Sequence, residues 1–342
     1  MYFRQLYTWR RLLAVISLIF SVPLLSSHAS QDSNYPKVNT WHHAEQAIMG
    51  TRVSVDIEHD NPFVANQVIS DVFGLMWDIN NEMSRFKPDS LLSKINQEAA
   101  SRPIKISDRL VHIIDKSLYY SKISNGAFDI TVGTIGRHYD YRKRNKPTET
   151  FINKKLKHID YKYIKLDRIN KTIKFSNDQT KIDLGGIAKG YAISEGIRLI
   201  KKFGIKNAYL SAGGDSYAIG TRNKQPWLIA IKDPRKKENN IAIPVSNIAL
   251  STSGDYERYF MENEQRYHHI LNPKTGKSAK KSVSVTVLGN SAMDTDALST
   301  TLFVLGEKEG LKLINTIDGY DAIYVYPDGR AVFSDGLKKR TN

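Results

Sequence analysis

No cysteine occurs anywhere in the sequence, so disulfides, thiolate metal sites and a lipid-modified cysteine at a processing point are all excluded. Acidic charge is also scarce: 35 Asp and Glu stand against 50 Lys and Arg, a net charge of +15. Long apolar runs are missing as well. The stretch from Leu12 to Leu25 is too short for an ordinary membrane span. It follows Arg4, Arg10 and Arg11 and precedes Ser27-His28-Ala29, the order of a secretory signal. A signal peptide is therefore expected over 1–29 and a mature domain over 30–342, with no integral membrane segment after processing. The expected location is the periplasm, as a soluble protein; the alternative is an uncleaved N-terminus held at the inner membrane, against which Pro23 counts.

The signal carries three of the positive charges and no acid, which leaves +12 on the remainder. Export argues against nucleic acid as the partner for that charge, and favours an anionic nucleotide, an acidic protein surface or anionic lipid headgroups. Lysines cluster in 141–165, 232–237 and 274–281 without the interleaved aromatics of a nucleic-acid platform.

Alternation over Gly50 to Ile57 predicts a half-buried strand, and Val64, Val68, Val72, Leu75, Met76, Ile79 and Met83 predict a helix over 64–83. A second amphipathic helix is expected from an N-cap at Ser107 to Ile123. The basic 137–161 segment reads as a surface excursion, Tyr163 to Phe175 as a hairpin, and Ile182 to Phe203 as a helix opened by glycines. Short strands follow at 207–212, 227–232, 248–252 and 283–288, then a helix ending at Gly306, a glycine suited to the left-handed C′ position. Another helix runs to about Thr316, and a last hairpin turns at Asp328-Gly329. This order lacks regular βαβ alternation and predicts an α+β fold in one compact, two-lobed unit.

Asp296 and Thr300 lie four residues apart on that Gly306-terminated helix, which puts a carboxylate and a hydroxyl on one face, half of an oxygen-lined Mg²⁺ site. A solvated carboxylate beside a surface threonine explains the same pair. Asp183-Leu-Gly-Gly-Ile-Ala-Lys-Gly190 sets bare backbone and a mobile cation, Lys189, where a strand enters a helix, an arrangement for an anion or simply a tight turn. Ser211-Ala-Gly-Gly-Asp215 offers the same two readings. Ser251-Thr-Ser-Gly-Asp-Tyr-Glu-Arg258 reads as a polar loop that binds phosphate or caps a helix. His268 and His269 precede the turn Asn272-Pro-Lys-Thr-Gly276, and each is either a proton relay or a packed histidine.

Taken in order, Met49-Gly-Thr, Met83-Ser-Arg-Phe-Lys-Pro-Asp-Ser, Gly126-Ala-Phe-Asp-Ile130 and the five motifs of the previous paragraph make the chain, from about residue 45 to 335, resemble the ApbE family of FAD:protein FMN transferases. The resemblance implies an α+β fold that binds FAD between two lobes. It also implies a Mg²⁺-dependent transfer of FMN from FAD to a protein threonine or serine, with release of AMP. By the same resemblance the metal ligands fall on the Gly186 carbonyl, Asp296 and Thr300. Flavin contacts fall on Met49, Phe86, Ala127, Phe128, Asp129, Asp183, Lys189 and Ile270, and His269 is the candidate to assist deprotonation of the acceptor. Phe86 stands where the family commonly has tyrosine or another aromatic ring, keeping a stacking surface without a hydroxyl. The family's acceptors point to subunits of redox-driven ion pumps or FMN-binding-domain proteins. Two other readings use the same residues: a Mg²⁺-dependent FAD pyrophosphatase giving FMN and AMP, and a flavin-binding protein without turnover.

Overall fold

Val53, Val55 and Ile57 are fully buried while the residues between them are not, the two-residue period of a strand with one face in the core. The computed structural model describes residues 40–231, 235 and 241–341; the expected signal over 1–29 lies outside them. Eight strands form one sheet: β1 (Thr40–Ile48), β2 (Thr51–His59), β3 (Ala208–Ala212), β4 (Asp215–Ile219), β5 (Ile248–Gly254), β6 (Ser284–Gly289), β7 (Tyr320–Val325) and β8 (Ala331–Phe333). Their spatial order follows chain order and every neighbouring pair is antiparallel. Apart from a last helix, Asp335–Thr341, the helices are insertions between consecutive strands of the sheet, which is the α+β organisation expected.

The main helices are α1 (Pro62–Met83), α2 (Asp108–Ile123), α3 (Ala188–Lys202), α4 (Ala292–Leu305) and α5 (Glu307–Ile314). Ser107 caps α2 by accepting the Leu110 N–H at 3.1 Å, as its position predicts. Helices α1, α3 and α4 cover one face of the sheet and share the largest apolar cluster. The other face carries Ala218, Leu250, Leu288 and Ile323, closed over by Trp227 and Ile231 of a separate hairpin. The described residues belong to a single compact unit.

Several expectations are corrected. The 137–161 segment is not only a surface excursion: Thr148 caps a helix, Glu149–Leu156, whose Ile152 packs with Ile135, Tyr139 and Leu271. A helix of two turns with one fully buried residue carries too little periodicity to be read in advance. The helix expected from Ile182 begins at Ala188 instead. The side-chain amide of Asn96 clamps Ile182, its Nδ2 donating to the Ile182 carbonyl at 2.9 Å and its Oδ1 accepting the Ile182 N–H at 2.7 Å, and Asp183 donates its N–H to the Ile130 carbonyl at 2.8 Å. These partners hold the chain extended up to Leu184, whose carbonyl then accepts the Ile187 and Ala188 N–H groups. Ser251 to Gly254 is strand and not loop.

Gly306 has φ +81° and ψ 172°, which is not the left-handed helical conformation but a region open only to glycine, and there the chain breaks between α4 and α5. A side chain here would also stand 2.8 Å from the Lys281 Cβ. Gly306→Ala is expected to cost on the order of 1–3 kcal/mol in chemical denaturation; an unchanged midpoint would contradict this account of the α4–α5 break.

Candidate active site

One end of the sheet gathers the motif residues. The Met49-Gly50 turn joins β1 to β2 there, with Met49 half-buried at φ +55°. The Gly213-Gly214 turn joins β3 to β4 beside it: Gly213 donates to the Arg52 carbonyl at 3.1 Å and Gly214 accepts the Thr252 N–H at 2.9 Å. A Cβ on Gly213 would lie 2.9 Å from Thr51 Oγ1, and one on Gly214 2.8 Å from the Thr252 carbonyl oxygen. Of the two readings of this glycine pair, the tight turn holds, and it delivers Asp215 into the interior at the start of β4.

Helix α4 lies across the same end of the sheet through a seam of hydroxyls. Ser251 and Ser253, on the helix-facing side of β5, meet Thr295 at 2.8 Å, Ser299 at 3.0 Å and Thr300 at 3.4 Å. Small hydrogen-bonding side chains on both elements let strand and helix approach closely. Asp296, only 3% exposed, points from α4 at the first turn of α3 and accepts the Gly190 N–H at 2.9 Å through Oδ2. Ile187 at the head of α3 contributes no side-chain cap, so a carboxylate from another helix satisfies one of its free amides and sits at the positive end of its dipole. The contact requires glycine, because a Cβ on residue 190 would stand 2.2 Å from the Ala292 carbonyl oxygen and 2.6 Å from the Asp296 Cβ.

Lys189 completes the cluster. Its ammonium forms an ion pair with Asp215 and stands 3.8 Å from Asp296 Oδ2. The cation expected from the sequence is therefore paired within the protein. Burial works against the Lys189 charge, but Asp215 and Asp296 outweigh it and hold its pKa above the usual value. Burial, then the Asp215 charge, pushes the Asp296 carboxyl up, while Lys189 opposes them. With all three ionised they carry one net negative charge, which the charge of nearby Arg258 offsets.

The other residues carried over from the family fall into four groups. Gly186, Thr300 and Phe128 meet at one point: a Cβ on Gly186 would lie 3.3 Å from Thr300 Oγ1 and 3.3 Å from the Phe128 ring. Asp183 turns back to accept the Gly185 N–H at 2.8 Å and pairs with Arg85 Nε at 2.7 Å; the Arg85 guanidinium in turn lies 4.1 Å over the exposed ring of Phe86. Ala127 and Ile270 are buried apolar residues of the main core, and Met49 packs against that core from its turn. The Asp129 carboxylate is committed inward, accepting the Thr131 N–H and hydroxyl at 2.8 and 2.6 Å and the Tyr161 N–H at 2.8 Å. Burial pushes this carboxyl up to about 6 against the pull of those donors.

The two histidines differ. His268 is structural: it is buried, its Nε2 lies 2.7 Å from the Ala279 carbonyl oxygen, and its ring meets Phe303 edge-on. His269 is half-buried; its backbone N–H donates to the Arg258 carbonyl at 3.1 Å, and its ring Nδ1 has no hydrogen-bond partner among the described residues. Burial, with the charges of Arg258 and Lys189 nearby, holds its imidazole neutral, well below the usual pKa. Sequence reasoning missed Asp215 and Arg258 as members of this site. The Gly-Gly before Asp215 was the available signal.

An oxygen-lined cation site fits these residues. Asp296 Oδ1 accepts no hydrogen bond from a described residue, and the Thr300 hydroxyl and the Gly186 backbone are neighbours. Among the described residues no group of three or more His, Asp or Glu side chains is placed to hold a metal, so any ion here depends on hydroxyl, backbone and ligand oxygens.

A model of the ApbE family matches residues 49–324. The FAD:protein FMN transferase of Haemophilus influenzae is 30% identical over 279 residues, covering 78% of this chain and 81% of that protein. The FAD:protein FMN transferase of Treponema pallidum is 27% identical over 324 residues, 89% of each. Among solved structures, the ApbE protein of Thermotoga maritima superposes with a TM-score of 0.79 at 32% identity, covering 88% of this chain and 99% of that one. The flavin transferase ApbE of Vibrio cholerae also superposes at 0.79, with 25% identity and the same coverage.

The α3–α4 contact predicts a contrast between two glycines. Gly190→Ala should lose about 1–3 kcal/mol through overpacking. Gly74→Ala, in α1 with nothing within 4 Å of the new methyl, should be neutral or stabilising. Equal midpoints for the two variants in urea would refute the close approach at Gly190.

Proposed function

This chain belongs to the ApbE family, and from that premise we propose that it transfers FMN from FAD to a threonine or serine hydroxyl of an acceptor protein, in a Mg²⁺-dependent reaction that releases AMP. The observation that supports this reading is that two residues four apart on α4 face the start of α3, Asp296 on the Gly190 N–H and Thr300 beside Gly186, next to the paired Lys189. In the reaction, the pyrophosphate P–O bond of FAD breaks, a bond forms between the FMN phosphorus and the acceptor Oγ, and AMP leaves with the bridging oxygen. The acceptor hydroxyl gives up its proton to a base.

Each residue then has a defined task. Asp296 Oδ1, Thr300 Oγ1 and the Gly186 carbonyl would hold Mg²⁺, which when bound neutralises charge on the pyrophosphate oxygens. Gly185 and Gly186 let phosphate approach bare backbone at the start of a helix. The Phe86 ring, with Arg85 on one face, offers its other face to the isoalloxazine. His269 is neutral and its Nδ1 is buried, which leaves Nε2 to take the acceptor proton. The acceptors we propose are extracytoplasmic subunits of redox-driven ion pumps or proteins with FMN-binding domains.

The test is incubation with FAD, Mg²⁺ and a candidate acceptor, followed by intact mass measurement. A gain of one FMN on the acceptor is expected; free FMN and AMP with no gain in mass would replace transfer by hydrolysis. Asp296→Asn is expected to abolish the gain while circular dichroism stays native. Thr300→Val should lose less, on the order of 1–2 kcal/mol of transition-state stabilisation, with partial rescue at raised Mg²⁺. Full transfer by Asp296→Asn at limiting Mg²⁺ would remove it from the ion's shell.

We also place the mature protein in the periplasm, on the strength of the basic, apolar and small-residue order in 1–29. Release by osmotic shock with an N-terminus near Ser30 is the expected result. A membrane-bound protein that retains Met1 would mean that Leu12 to Leu25 is an anchor.

A further inference from the structure

We infer that Lys189 is the built-in counter-ion of this site: its ammonium balances Asp296 while no divalent cation is bound, and Asp215 is the carboxylate that draws it aside when one binds. The inference rests on reading Asp296 as a cation ligand. Three features of the cluster support it. Asp296 and Asp215 are both buried, at 3% and 2% exposure, and one ammonium serves both. A lone buried carboxylate is expensive, so the ionised pair needs a cation beside it.

The two carboxylates are held differently. Asp296 Oδ2 is fixed by the Gly190 N–H, while its Oδ1 accepts nothing from a described residue. Asp215 is fixed by its place in β4, in register with Ser251 of β5. Lys189 lies closer to Asp215 than to Asp296. Its four-carbon stem and compact charge let it move between neighbouring carboxylates, which the planar fork of arginine does less readily. A divalent ion at Asp296 would repel the ammonium across a few ångströms of protein interior. Asp215 gives the displaced charge a position that remains paired. The arrangement predicts that the ammonium and the divalent ion compete for Asp296, and that Asp215 weakens the ammonium as a competitor.

Binding of Mn²⁺, as a spectroscopic probe for Mg²⁺, tests this by electron paramagnetic resonance on the mature chain at pH 8 without FAD. Asp215→Asn leaves the ammonium to Asp296 alone and is expected to weaken Mn²⁺ binding about tenfold. Adding Lys189→Met to Asp215→Asn removes one charge of each sign in all, keeps the cluster's net charge, and should tighten binding about tenfold relative to Asp215→Asn. Lys189→Met alone should melt lower than wild type without Mg²⁺ and gain more from adding it. A double variant that binds no more tightly than Asp215→Asn overturns the counter-ion role. The metal reading is tested apart from it: loss of Mn²⁺ binding in Asp296→Asn keeps Asp296 as a ligand whatever the double variant does. Unchanged binding in Asp296→Asn removes both proposals together.

Discussion

The hydrogen bond from the Gly190 N–H to Asp296 Oδ2 is the contact on which the rest of the site depends. It fixes the first turn of α3 against the first two turns of α4, and it does so only because residue 190 has no side chain. One carboxylate thereby serves two structural ends: it satisfies a free amide of a helix that lacks its own cap, and it sits where the helix dipole favours negative charge. Burial would otherwise neutralise such a group. Lys189 resists that, and Asp215 keeps Lys189 charged in turn. The geometry and the electrostatics of the site thus rest on the same few atoms.

The sheet makes this possible by bringing distant segments to one end. Because strand order follows chain order, each connection between strands is free to lengthen without threading another. Those at Met49-Gly50 and Gly213-Gly214 are minimal, while the insertions after β2 and β6 carry the helices. The hydroxyl seam between β5 and α4 then sets how deeply Thr300 can sit. Arg85 and Asp183 link the exposed Phe86 to the loop before α3, so the aromatic surface and the anion-facing backbone are held by one ion pair.

Much of this was legible in the sequence, and what escaped did so for physical reasons. Helix α1 announced itself by apolar spacing and α2 by its Ser107 cap, since both bury one continuous stripe. Strand β1 did not: it is the edge strand, largely polar, and its Trp-His-His-Ala-Glu-Gln run shows no alternation because most of it faces away from the core. Asp296, Thr300 and Gly186 could be named from motif and helical spacing. The role of Asp215 could not, because its partner Lys189 lies 26 residues away in another motif, and a single sequence does not display a pairing made by the fold. Asp129 shows the converse: it lies in a recognisable motif, yet its carboxylate is spent on Thr131 and Tyr161 inside the chain.

The central claim is that the opening turn of α3, with Asp296 behind it, is where the cation and the FAD phosphates meet. Anomalous diffraction from crystals holding Mn²⁺ and FAD tests it most directly. The account predicts a Mn²⁺ peak within bonding distance of Asp296 Oδ1, Thr300 Oγ1 and the Gly186 carbonyl, with the pyrophosphate against the Gly185-Gly186 backbone. A Mn²⁺ peak remote from Asp296, or FAD bound with its phosphates away from that turn, would contradict it.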